Sequence, residues 1–356
     1  MNSSPSREAL ARARTVVVKI GSKSLLGSNA LIEELAEDVE ELISKNRRVI
    51  VVTSGAIALG TRKLGYRTRP KEVAKLQAAA AAGQSLLMRA YEEAFKRTAV
   101  AQVLLTHADL ADRTRSNNAR DALAVLLERK AVPILNENDS VAVEEIKFGD
   151  NDQLSSMVVP LVDADALLLL SDVEGLLDGR GKRVPFVRDV VKEAMPLATA
   201  KKSDVGSGGM TSKLEAVRRA TLAGAHAVLA SAKESHVVRR VLGAEDLGTY
   251  FEPAQRRLSA RKHWIAFTLR ARGDIVVDAG CEKAIRERGK SILAVGVLGV
   301  RGEFRAGDAV RILDRDGREL GRGLAKVSVL EAALGAGQGG EGGAAVVVHR
   351  DELVLA

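Results

Sequence analysis

Residues 15–20 (TVVVKI) are apolar on consecutive positions, without the alternation of a half-exposed strand. The same holds, nearly throughout, for 49–52 (VIVV), 100–105 (VAQVLL), 132–135 (VPIL), 166–170 (ALLLL) and 227–230 (AVLA). Between these runs, 31–45, 71–97, 117–130 and 210–223 carry apolar residues at helical spacing. The Ala-rich stretch 71–97 predicts one long helix or a helix pair, with Gly83 as the break. Short strands buried on both faces and separated by helices predict an α/β fold, a mostly parallel sheet sandwiched by helices. Right-handed crossovers then bring every strand-to-helix loop to one edge of the sheet. Ligands bind there, beyond the carboxyl ends of the strands.

The pattern changes near 252–262 (EPAQRRLSARK), where Pro, polar and basic residues mark a linker. Beyond it come short strands with close turns, at 274–277, 295–298, 309–313, 323–329 and 344–348. Asp316-Gly317 between apolar runs signals a hairpin. The expected organisation is a first domain over 1–255, a linker over 256–264 and a small β-rich domain over 265–356. The glycine-rich stretch 335–343 is expected to be a loop.

Composition sharpens this picture. Apolar residues make up 46% but aromatics only 3%, so the core must be built from Ala, Val, Leu and Ile. The net charge is +8, with 18 Lys/Arg against 13 Asp/Glu from Ala254 onward, so +5 falls in the last 103 residues. A basic C-terminal domain suits either nucleic acid or a solvated surface. Cys281 is the sole cysteine, which excludes an intrachain disulfide and fits a reducing compartment. The N-terminus has no apolar signal segment, so a cytoplasmic location is expected. The five histidines occur at no metal-ligand spacing, and no metal site is expected.

Several polar residues fall where strands end. Lys19 closes an apolar strand and is followed by Gly21. A lysine there either points into the ligand crevice or snorkels to the surface. Thr53-Ser54-Gly55 follows the second strand and can bind a carboxylate or cap a helix. Asn136-Glu137-Asn138-Asp139 and, ten residues later, Asp150-Asn151-Asp152 flank one loop. So many polar groups at a core edge cannot be buried unpaired; they can bind an ammonium group, orient a lysine, hold a metal, or form a solvated turn. Ser207, Gly208 and Gly209 precede Met210, Thr211, Ser212 and Lys213 at a helix start, where free amides and the helix dipole favour anions. Ser171-Asp172 ends the LLLL strand and contacts a nucleotide or caps a turn.

In these segments the chain resembles the glutamate 5-kinases of the amino-acid kinase family. The matching stretches are VVVKIGS, VIVVTSGAIALG, LLTHADLADRTRSNNARDAL, VPILNENDSVAVEEIKFGDNDQLS, LLLLSD and SGGMTSKLEA, in family order. The last 90 residues look like a PUA domain through KHWIAF, DIVVDAGCEKAI, GEFRAGDAVRI and VVVHRDEL. The resemblance implies ATP-dependent phosphorylation of the γ-carboxylate of L-glutamate, the first step of proline biosynthesis. It implies ATP and Mg²⁺ as cofactors, proline as feedback inhibitor, a homo-oligomer, and RNA as a partner for the PUA domain. It also implies residue roles. Lys19, Lys213 and Asp152 would be catalytic. Ser54, Gly55, Asp139 and Asn151 would bind glutamate. Lys19, Gly21, Ser171, Asp172 and Ser207 to Lys213 would line the nucleotide site. Two alternatives remain: phosphorylation of another acid by the same fold, and an RNA-binding protein whose PUA domain is its main business.

Overall fold

The computed structural model describes residues 5–22, 30–142, 151–199, 209–338 and 345–355. The chain divides into two compact units, Met1–Arg257 and Leu258–Ala356.

The first unit begins with helix α1 (Pro5–Ala11), strand β1 (Thr15–Ile20), α2 (Ala30–Ser44) and β2 (Arg48–Val52). There follow α3 (Ala56–Lys63), α4 (Val73–Ala94), β3 (Val100–Leu105), α5 (His107–Ala111), α6 (Arg113–Glu128) and β4 (Val132–Glu137). After these come α7 (Asn151–Leu161), β5 (Ala166–Ser171), β6 (Phe186–Val187) and α8 (Met195–Thr199). The unit closes with α9 (Met210–Ala223), β7 (His226–Ser231), α10 (Val237–Leu242) and β8 (Thr249–Phe251).

The eight strands form one sheet in the order β3-β4-β2-β1-β5-β7-β8-β6. Every pairing is parallel except β7 with β8. The chain winds outward from β1 through β2 to the far edge, then returns to lay β5 on the other side of β1. In sheets of this kind the reversal of strand order, here at β1, is where ligands bind, beyond the carboxyl ends of the strands.

Side-chain alternation sorts the two faces. Val16, Val18 and Ile20 of β1 pack in one core with α2, α4 and α10. Val17, with Ile50, Leu167 and Leu169, packs in a second core with α6, α7 and α9. Period-two geometry therefore turns Lys19 toward the α7 and α9 side.

Helix α6 starts four residues before the expected 117 because Asp112 accepts from Arg115 N at 2.9 Å and caps it there. Gly83 does not break the Ala-rich helix. A Cβ on Gly83 would fall 1.8 Å from Ala56 O, and one on Gly60 would fall 1.7 Å from Ala79 O. The two glycines let α3 and α4 cross with backbones in contact.

The second unit holds α11 (Ala260–His263), β9 (Gly273–Val277), α12 (Ala279–Arg288), β10 (Ile292–Leu293), β11 (Val297–Gly302), β12 (Ala309–Leu313), β13 (Glu319–Ala325), α13 (Val329–Gly335) and β14 (Val346–Leu355). Its sheet runs β10-β14-β13-β12-β9-β11, antiparallel except for β9 with β12. The expected strand at 323–329 is wrong in its second half. Ser328 and Glu331 form a capping box that starts α13 instead. Helix α12 was not expected, and Asp278 caps it by accepting from Cys281 N. Among the described residues, no helix is long and apolar enough to cross a membrane.

Candidate active site

Lys19, the fifth residue of β1, lies between Val52 of β2 and Leu169 of β5. Its ammonium pairs with the carboxylate of Asp152 in the first turn of α7. Lys213, in the first turn of α9, donates to the other oxygen of the same carboxylate at 3.3 Å. Side-chain exposure is 9% for Lys19, 12% for Lys213 and 2% for Asp152, so water screens this cluster weakly. Burial pushes the Asp152 carboxyl upward, but the attraction of Lys19 and Lys213 outweighs it and leaves the pKa below the usual carboxylate range.

Beside this triad lies a chain of amides. Asn151 Nδ2 donates to Ser54 Oγ at 2.8 Å and to Asn136 Oδ1 at 3.1 Å. Asn151 Oδ1 and Asn136 Oδ1 both accept from Glu137 N, at 3.2 and 3.0 Å. Asn136 Nδ2 donates to Gln84 Oε1 at 2.9 Å. On the neighbouring strand, Tyr91 Oη donates to Thr53 Oγ1 at 2.8 Å, and complete burial raises the Tyr91 pKa.

Gly55 adopts φ 105° and opens α3 immediately after Ser54. A side chain strains this left-handed backbone, so the turn from β2 into α3 selects glycine. Asp139 is half-buried in the turn that follows β4.

On the other side of β1, the Gly21 amide donates to Leu170 O at 3.2 Å and extends the sheet, so it is not an open anion donor. The position of an added Cβ on Gly21 is 4.0 Å from Lys19 Nζ, which places this glycine beside the ammonium. Ser171 closes β5 and donates to Asp172 Oδ1 at 3.0 Å. Gly209 is the extended N-cap of α9 and has no side-chain cap, so backbone amides dominate that helix start. Met210, Thr211 and Ser212 make up the same turn as Lys213. Ser207 and Gly208 lie outside the described residues, as does Asp150.

Of the residues singled out from sequence, Lys19 and Lys213 meet at Asp152, Asn151 pairs with Ser54 beside them, and Gly21 lies next to Lys19; Asp139, Ser171, Asp172 and Gly209 stand at the ends of their own elements in the same unit. Gln84, Tyr91 and the specific place of Asn136 did not emerge from sequence. Their one trace is spacing: Gln77, Gln84 and Tyr91 recur every seven residues in an Ala-rich helix, which puts them on one stripe.

The arrangement holds two cations against one buried anion, next to a row of neutral hydrogen-bonding groups. It suits a polyanion and an amino acid side by side. The Amino acid kinase family model matches residues 14–231, and the PUA domain model matches 273–341. The chain is 45% identical to the glutamate 5-kinase of Myxococcus xanthus, covering 99% of both chains. It is 41% identical to that of Syntrophotalea carbinolica, covering 98% of this chain and 99% of the relative. In fold it is similar to the carbamate kinase of Giardia, with a TM-score of 0.50 at 14% identity, over 67% of this chain and 99% of that one. The chain therefore belongs to the glutamate 5-kinases of the amino acid kinase family, with a PUA domain in its C-terminal unit.

Proposed function

We propose that this chain transfers the γ-phosphoryl group of ATP to the γ-carboxylate of L-glutamate, giving γ-glutamyl phosphate and ADP, the first step of proline biosynthesis. The observation that carries this reading is the convergence of Lys19 and Lys213 on Asp152, beside the Ser54–Asn151 pair. A carboxylate approaching ATP brings two anions together, so the reaction needs alignment and charge neutralisation rather than a nucleophilic side chain. The attacking carboxylate is already ionised at neutral pH, which removes the need for a general base.

In this reading Lys19 neutralises charge on the transferring group, and Lys213 does so from the α9 side. Asp152 holds two mutually repelling ammonium groups within reach of one phosphate. Ser54, Gly55, Asp139 and Asn151 hold the amino acid. Gly21, Ser171, Asp172 and the stretch from Ser207 to Lys213 line the nucleotide site, with the α9 amides facing phosphate oxygens.

The described residues contain no cluster of three His, Cys, Asp or Glu side chains that would cage a metal. Mg²⁺ would enter with ATP rather than in a cage of protein carboxylates, and Lys19, Lys213 and the Gly209 end of α9 would hold the phosphates that carry it. Bound in that way it would neutralise phosphate charge.

The proposal extends to proline as an inhibitor at the amino-acid subsite, a cytoplasmic homo-oligomer, transfer carried by residues 1–255, a linker over 256–264, and RNA contact by the PUA domain over 265–356. The test is a hydroxylamine-trapping assay with ATP, Mg²⁺ and glutamate, run with and without proline. Glutamate-dependent hydroxamate that falls on adding proline is the expected result. Phosphorylation of aspartate or carbamate but not glutamate would overturn the assignment.

A further inference from the structure

One stripe of α4 reaches three parts of the amino-acid subsite. Gln77 Nε2 donates to Ala142 O at 3.2 Å, beyond the Asn136–Asp139 turn. Gln84 Oε1 accepts from Asn136 Nδ2 at 2.9 Å, at the end of β4. Tyr91 Oη donates to Thr53 Oγ1 at 2.8 Å, at the end of β2. The three residues are seven apart, so their side chains follow one line along the helix. Alternation agrees: Val49 and Val51 pack on the α4 side of β2, which places Thr53 there, and Val132 and Ile134 do the same for Asn136 on β4.

Asn136 is the pivot of this support. An amide can rotate by half a turn and exchange its donor and acceptor. If Asn136 did so, it would turn an N–H toward Glu137 N and Asn151 Nδ2, both of which now donate to its Oδ1. Gln84 prevents this by offering an acceptor to Asn136 Nδ2. Its own Nε2 is buried and has no hydrogen-bond partner among the described residues. An unpaired buried amide N–H is unfavourable and uncommon, so this orientation of Gln84 serves Asn136 rather than Gln84 itself.

We infer that Gln84 is a positioning residue of the amino-acid subsite. Through Asn136 it fixes the amide of Asn151, and so the pairing of Asn151 with Ser54. It acts on affinity for the amino acid, because its hydrogen bonds run through Asn136 to Asn151, Ser54 and the Glu137 amide, whereas Lys19 and Lys213 pair with Asp152. The inference rests on the glutamate-binding reading of Ser54 and Asn151 given above.

The test uses the full chain and the hydroxamate assay. Gln84→Met, similar in length but without the acceptor, is expected to raise the KM for glutamate about tenfold, the worth of one hydrogen bond of ~1.4 kcal/mol. Its KM for ATP and its kcat are expected to stay within about twofold of the parent. Gln84→Glu keeps an oxygen toward Asn136 and is expected to recover most of the lost affinity, an outcome that simple loss of packing does not produce. If the methionine variant fails to fold, Gln84→Asn, one methylene too short to reach Asn136, is expected to show the same KM effect. A glutamate KM within twofold of the parent in a folded variant, or an equal loss in KM for ATP, overturns the inference. Absence of glutamate phosphorylation in the unaltered chain overturns the parent reading instead, so the two failures are distinguishable.

Discussion

Asp152 keeps its charge in a place where burial opposes it, because two ammonium groups share it. Its pKa in the folded chain lies below that in the unfolded chain. The stabilisation is therefore present above about pH 4 and is lost as pH falls through the depressed value. Asp152→Asn leaves two buried cations uncompensated and is expected to lower stability at pH 7 by about 3–5 kcal/mol. Denaturant unfolding of parent and variant measures this, and the gap is expected to narrow below about pH 4. Lys19→Ala and Lys213→Ala differ from it, since either leaves Asp152 one cationic partner. Each is expected to fold and to lose at least about a hundredfold in kcat. Normal turnover in both would remove the assigned roles. Lys19 was legible in the sequence as a charge ending an apolar strand. Its partnership with Asp152 was implied only by the family resemblance and not by pattern, because 133 positions separate them and the packing of α7 beneath β1 joins them.

The pairing of α3 with α4 carries the element-scale argument. Gly60 and Gly83 permit a backbone approach that any side chain blocks, and α3 begins two residues after Ser54. Gly60→Ala or Gly83→Ala is expected to push the helices apart and destabilise the chain by about 1–3 kcal/mol, the usual cost of overpacking. It is also expected to raise the glutamate KM, because Gln84 lies on one displaced helix and Ser54 immediately precedes the N-cap of the other. Circular dichroism melts together with KM values check both effects, and a variant with parental stability would contradict the close crossing. Strand positions were readable because continuous apolar runs survive any tertiary context. Between one long helix over 71–97 and a pair broken at Gly83 the sequence did not decide, because a helix-interior glycine looks the same whether it weakens a helix or admits a neighbour; the single helix is what forms. The short strands β6 and β8, the last two at one end of the sheet, left no pattern long enough to register.

Across the whole molecule, each unit has its own buried cluster, with Val17 and Leu169 in the first and Ile275 and Ile312 in the second. Every residue placed at the phosphoryl-transfer site precedes Arg257. A chain ending at Arg257 is therefore expected to fold and to phosphorylate glutamate with a KM within about threefold of the full chain, a range set by the small worth of contacts outside a site. A folded but inactive fragment would show that the second unit completes the site. In that second unit much of the basic charge is matched on its own surface, as in Arg311 with Asp274 and Lys326 with Glu352. This favours a solvated role for many of those cations. Local order along the chain was enough to establish an α/β unit, a β-rich unit and the polar clusters at strand ends, because period, capping and strand-end polarity are properties of neighbouring residues. Which clusters share one site was decided by the reversal of strand order at β1, which brings residues 19, 54, 151, 152 and 213 to a single edge. The support from α4 was decided in the same way, since a hydrogen bond between Gln84 and Asn136 depends on how a helix lies on a sheet and leaves almost no trace in a linear sequence.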